Sequence, residues 1–183
     1  KVDPVGTCVG VRGTRIKSVI RELNNEKIDV IPYSEDTIQL LQNLLAPTEM
    51  RKFKEHDDRM WMVVADEEYP TVIGKKGMNA RLIGQMIGKE IEVQKLSEYQ
   101  KILTIQMVEL AESTDPLFDE KIKIEGVSGL ITESLAGAGF DTLRKLMQAA
   151  PTEVSSKVPG VNYYDLADRI IEQNRKRARN AGP

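Results

Sequence analysis

The sequence predicts an α+β fold in which two copies of a mixed helix–strand unit precede a small all-helical module. Three observations carry this expectation. Val9-Gly10-Val11-Arg12-Gly13 and Ile73-Gly74-Lys75-Lys76-Gly77 match at an offset of 64 residues, and further matched blocks follow in the same order, which is the mark of a duplicated unit. In each copy a stretch with helical apolar spacing is followed by a stretch of alternating apolar and polar residues. Beyond Asp119 the alternation stops, and short helical stretches broken by glycines take over.

The bulk numbers fit such a protein. The chain has 183 residues, 40% hydrophobic and 30% charged, a folded composition and not a disordered one. Aromatics are only 5%, so the core must be mainly aliphatic. No apolar run nears the roughly 18 residues of a membrane span, so no membrane partner is expected. One cysteine, Cys8, and one histidine, His56, exclude a disulfide and the usual Cys/His zinc site. A reducing, cytoplasmic setting is expected. No initiator Met and no signal-peptide region stand at Lys1-Val2-Asp3-Pro4, so the chain is read as a fragment or a processed form.

In chain order, a short helix is expected around 5–9, then a glycine-bounded loop. A second helix runs from about 14 to 23 with its stripe at Ile16, Val19, Ile20 and Leu23. A strand follows at 27–33. The second copy repeats this with a helix around 67–73, a loop, a helix at 78–87 and a strand at 90–96. Ser34 and Ser97 are placed to cap the following helices. Between the copies, 50–55 and 59–65 read as a hairpin, and the near-continuous apolar run Met60-Trp61-Met62-Val63-Val64 marks a central strand. The helix near 35–45 opens the second unit. A helix at 97–112 and a linker end this region. The boundaries expected are 1–46 for the first unit, 47–113 for the second, 114–120 for the linker and 121–183 for the helical module. The first unit lacks its N-terminal strands.

The net charge is −2, yet the cations cluster. Arg12, Arg15, Lys17 and Arg21 form an acid-free block, as do Lys75, Lys76, Arg81 and Lys89. Both blocks surround the loops GVRG and GKKG. Glycine at both ends lets the backbone turn with no Cβ in the way, so a phosphodiester can approach. The helix that follows offers unpaired N–H groups. One Gly-x-x-Gly says little, since a plain helix–helix turn explains it. Two copies, each basic, flanked by helices and followed by a strand, read as a tandem of type II KH domains, the first N-terminally truncated, gripping single-stranded RNA. The RNA-binding candidates are Gly10, Val11, Arg12, Gly13, Arg15 and Lys17 in the first copy, and Gly74, Lys75, Lys76, Gly77, Asn79 and Arg81 in the second. The few aromatics argue for hydrogen bonding and aliphatic contact over ring stacking.

No Walker loop, catalytic constellation, metal or cofactor site is read, so the protein is expected not to be an enzyme. His56 reads as solvent-exposed. Cys8 reads as packed on the apolar face of a short helix. In the helical module, Val158-Pro159-Gly160-Val161-Asn162 resembles a helix-hairpin-helix element, and Gly137-Ala138-Gly139-Phe140 is a looser one. Such hairpins bind duplex backbone, dock proteins or serve structure alone. The neighbouring acids Glu125, Glu133, Asp141, Asp165 and Asp168 favour protein contact. The Arg175-Lys176-Arg177-Arg179 tail reads as a solvated helix end.

The segments Asp3 to Gly13, Glu26 to Val30, Leu45-Ala46-Pro47 and Ile73 to Leu82 together resemble the KH region of the NusA family of bacterial transcription elongation, termination and antitermination factors. The resemblance covers residues 1 to about 96, with a looser likeness in the C-terminal third. It implies a factor that binds nascent single-stranded RNA, works with RNA polymerase or polymerase-bound factors, and acts as a monomer. In that family a polymerase-binding domain and an S1 barrel precede the KH pair, and neither is in this sequence. The alternatives are a protein-interaction scaffold or a ribosome-associated KH protein.

Overall fold

The apolar run 60–64 forms the middle of a three-stranded sheet. Strands β1 (Lys52–Glu55), β2 (Arg59–Val64) and β3 (Glu90–Lys95) lie in the order β1-β2-β3. β1 pairs antiparallel with β2, setting Phe53 opposite Met62. β3 pairs parallel with β2, setting Ile91 opposite Met60 and Val93 opposite Met62. Strand alternation puts Met60, Met62 and Val64 on one face, where they pack in one buried cluster with Leu41, Leu45, Val72 and Ile83. Each such side chain contributes about 1.5–3 kcal/mol by leaving water. The computed structural model describes residues 2–181. They divide into two compact units, with the division after Leu96.

In the first compact unit, helix α1 (Pro4–Val9) leads through a tight loop to α2 (Thr14–Glu22). Helix α3 (Thr37–Leu45) is followed by the β1–β2 hairpin, then by α4 (Tyr69–Ile73), a second tight loop, α5 (Met78–Ile87) and β3. The cap expected at Ser34 falls to Asp36, whose carboxylate accepts from the Gln39 amide at 2.7 Å, while the Ser34 hydroxyl accepts from the Asp36 amide. Leu41 and Leu45 of α3 belong to the sheet's buried cluster. The helix therefore goes with the second KH unit, and the division between the copies lies before α3 and not at residue 46.

The strand expected at 27–33 is absent: this segment has no regular secondary structure. A strand exists through its ladder. β3 has β2 beside it, whereas residues 27–33 have no such neighbour. Ile16, Val19, Ile20 and Leu23 accordingly make an apolar face on α2 that buries none of its residues. Cys8 is exposed and not packed, because nothing covers α1 either.

The second compact unit contains α6 (Leu96–Ala111), in effect from Ser97 onward, with α7 (Gly129–Gly137), α8 (Leu143–Gln148), α9 (Pro151–Lys157) and α10 (Tyr163–Asn180). Ser97 lies within the first turn of α6 and does not precede it. Leu103, Met107 and Ala111 of α6 share a buried cluster with Phe118, Ile122, Leu135, Leu146, Tyr163 and Ile170. The expected boundary at 113 thus differs from the packing, which assigns α6 to the helical unit. Residues 114–120 do not form a slack linker. They hold a short helical turn at Pro116–Asp119 with Phe118 buried. Arg144 secures it: its guanidinium donates to the carbonyls of Ala111, Ser113 and Asp115 and to the Asp119 carboxylate. The strand pattern at 121–124 reduces to a single bridge between Lys121 and Thr142.

Candidate nucleic-acid interface

The two loops have one geometry. Gly10 and Gly74 take φ 74° and 70° with extended ψ, and Gly13 and Gly77 both take φ 75°. The third loop residue is left-handed in both, Arg12 at φ 52° and Lys76 at φ 54°. Non-glycine residues seldom adopt this region, so finding it twice at one offset means that both copies build the same turn. The first glycine amide of each loop closes on the preceding helix, Gly10 to the Gly6 carbonyl and Gly74 to the Pro70 carbonyl. The amides of residues 11, 12, 75 and 76 donate to no backbone carbonyl among the described residues. They stand beside the start of the next helix, which makes each loop a site suited to phosphate oxygens.

A side chain braces each loop from beneath. The Arg15 guanidinium donates to the Thr7 carbonyl at 2.6 Å, and the Asn79 amide donates to the Thr71 carbonyl at 2.8 Å. These two bonds occupy equivalent positions. They also explain the first glycines: a Cβ on Gly74 would meet Asn79 Cγ at 2.5 Å, and one on Gly10 would meet Arg15 Cγ at 2.9 Å. Gly77 is different, since a Cβ there would find nothing within 4 Å. At Gly13 the nearest atom is Lys17 Cε at 3.5 Å, so the lysine stem runs past that glycine.

Val11 and Arg12 are exposed, as are Lys75, Lys76 and Arg81. Among the described residues, Arg12, Lys75, Lys76 and Arg81 have no ion-pair or hydrogen-bond partner. Lys89 is committed elsewhere. Its ammonium reaches the His56 and Asp57 carbonyls at 2.9 and 2.8 Å and the Glu55 carboxylate at 3.3 Å, which ties the hairpin turn to the start of β3. His56 lies exposed on that turn.

Beside the second loop, α5 and β3 enclose an open groove of about 590 Å³. Gly77, Ala80, Gly84 and Gly88 line it along α5, Arg81 and Gln85 flank them, and Asp58, Glu90 and Ile91 line the other side. A Cβ on Gly84 would stand 2.7 Å from the Lys89 carbonyl, so the glycine is what lets α5 sit so close to the strand.

Comparison with known proteins agrees with this duplicated architecture. The family description "NusA-like first KH domain" matches residues 1–33, and "NusA-like second KH domain" matches residues 37–101. The chain is NusA-like. A protein of Rickettsia conorii named "Transcription termination/antitermination protein NusA" is 35% identical over 93% of this chain and 36% of its own length. Proteins of the same name from Bacillus subtilis and Borreliella burgdorferi are 36% and 30% identical, over 65% and 81% of this chain and 32% and 34% of their own lengths. The NusA-like chain therefore spans about a third of the length of these relatives.

The structure of the NusA-like chain gathers the sequence candidates into two loop clusters, with Arg15 and Asn79 turned back as braces. Sequence reasoning missed the groove. Its signal is the run of small residues Ala80, Gly84 and Gly88 at helical spacing on the face of α5 between the core residues and the outer surface.

Proposed function

We propose that this chain binds single-stranded RNA through its two Gly-x-x-Gly loops, as the KH region of a transcription elongation, termination and antitermination factor that acts on nascent RNA at RNA polymerase. The observation that carries the reading is the repeated loop: free backbone amides, a bare second glycine and unpaired cations, built twice at one offset. The binding residues are Gly10, Val11, Arg12, Gly13 and Lys17 with Gly74, Lys75, Lys76, Gly77 and Arg81, and Arg15 and Asn79 position the loops. The name shared by the relatives supplies the transcription setting. The role is non-enzymatic, the chain acts as a monomer, and it works in the cytoplasm. No helix among the described residues is long and apolar enough to cross a membrane. The helical unit, with exposed Glu125, Glu133, Asp141 and Asp165, docks a basic protein surface, such as one on polymerase or a polymerase-bound factor.

The test is fluorescence anisotropy with short single-stranded RNA at two salt concentrations. The double variant Lys75→Asp, Lys76→Asp is expected to lose most affinity with an unchanged melting temperature, because exposed loop side chains add little to stability. Full affinity in that folded variant would sink the reading.

A further inference from the structure

The two copies share a loop, but the faces beside their loops differ. On α5 the groove is floored by Ala80 and Gly84. At an offset of 64 the same positions of α2 carry Ile16 and Ile20. The second glycine of the first loop has a lysine stem beside it, whereas Gly77 has nothing within 4 Å. The charges differ as well. Arg81, Gln85 and Glu90 of the groove correspond to Lys17, Arg21 and Lys27, and Asp58 adds a second carboxylate to the groove.

Each difference has a chemical consequence. A floor without side chains leaves room for a flat ring against α5, and the groove's size lies within the roughly 300–1,000 Å³ typical of small-ligand sites. Carboxylates at the edge of a groove accept from exocyclic amino groups, which adenine and cytosine carry and uracil lacks. Branched side chains and cations beside the first loop suit a sugar–phosphate backbone and leave no flat slot.

We propose that the two units are unequal. The second seats an unpaired RNA base bearing an exocyclic amino group in its α5–β3 groove, with Ala80, Asp58 and Glu90 deciding which base enters, and the first holds only sugar–phosphate. This rests on the RNA-binding reading above.

The test compares oligoadenylate, oligocytidylate and oligouridylate with the full chain by fluorescence anisotropy. The unaltered chain binds the first two more tightly than oligouridylate, by about tenfold, the scale of one well-made base contact. Ala80→Ile, which installs the residue of the first unit, removes that preference and leaves oligouridylate affinity within about twofold. Asp58→Asn with Glu90→Gln also narrows it, with the groove left open, so a folding defect in the first variant cannot decide the outcome. Arg12→Ala weakens all three oligomers by one common factor. A preference that survives both groove changes would overturn the proposal, as would an Arg12→Ala effect that depends on the base. Equal binding of the three oligomers by the unaltered chain would overturn it and leave the RNA-binding reading standing. Binding of none would overturn both.

Discussion

At the scale of single residues, the glycines of one loop have different physical duties. Gly74 has a positive φ and the Asn79 amide pressed beneath it. Gly77 has the same backbone constraint with open space above. Gly74→Ala is therefore expected to cost at least about 2 kcal/mol, from left-handed strain and from overpacking against Asn79. Gly77→Ala is expected to cost about 1 kcal/mol, from strain alone, yet to weaken RNA binding more, because its methyl fills the approach path. Urea unfolding paired with RNA titration separates the two, and equal stability losses would refute the distinction. Arg144 is the other residue with a large expected effect. Its fork serves three carbonyls and the Asp119 carboxylate, and it lies over the Phe118 ring. Arg144→Lys keeps the charge but loses the fork, and a cost of about 2 kcal/mol is expected in thermal melts.

At the scale of elements, α2 and α5 are sequence repeats with different cover. Ile83 of α5 is buried against the sheet, while Val19, its counterpart on α2, is 52% exposed. Ile83→Asp is expected to cost more than about 3 kcal/mol, because it places a charge in an apolar cluster. Val19→Asp is expected to stay within about 0.5 kcal/mol. Amide hydrogen exchange gives a parallel check. Residues 27–33 should exchange fast and β3 slowly, since only β3 has a ladder. Slow exchange at 27–33 would mean that the segment has found a partner. The α2 stripe was legible as a periodic pattern. That it lies uncovered was not, because periodicity reports which face seeks burial and not whether a partner is present.

At the scale of the whole molecule, the helical unit needs α6. Leu103 and Met107 are buried in its cluster, and the Tyr99 hydroxyl of the same helix donates to Asp168 at 2.5 Å. A fragment from Ser97 onward should fold cooperatively, whereas one starting at Asp119 should not, as circular dichroism melts will show. The same unit sets a pH dependence. Burial, then the hydrogen bond to Asp168, push the Tyr99 phenol well above its ordinary value. The folded state then holds this proton more tightly than the unfolded chain does. Its contribution is complete below about pH 10 and is lost as pH rises further. Tyr99→Phe should flatten that alkaline decline. At the acid end the carboxyls of Asp115, Asp119 and Asp141 are held below their usual range by hydrogen bonds from Arg177, Arg144 and Lys145. Their contribution is complete above about pH 4 and is lost as pH falls through their lowered values. Stability measured across pH would contradict this if the acid decline were the same in Arg144→Lys.

The sequence by itself determined the duplication, the central strand at 59–64 and the two loops, because these rest on local signals: an offset, an apolar run, and glycines where the backbone turns left-handed. Arg12, Lys75, Lys76 and Arg81 were legible as cations clustered on a loop. Only the tertiary structure decided that Arg15 and Asn79 turn back to carbonyls eight residues earlier, and that Lys89 is committed to a turn more than thirty residues away. It also decided that α6 packs with the helical unit and that Ala80, Gly84 and Gly88 floor a groove. These outcomes depend on which surfaces meet, and an apolar helix such as α6 can satisfy its pattern against either neighbour in the chain.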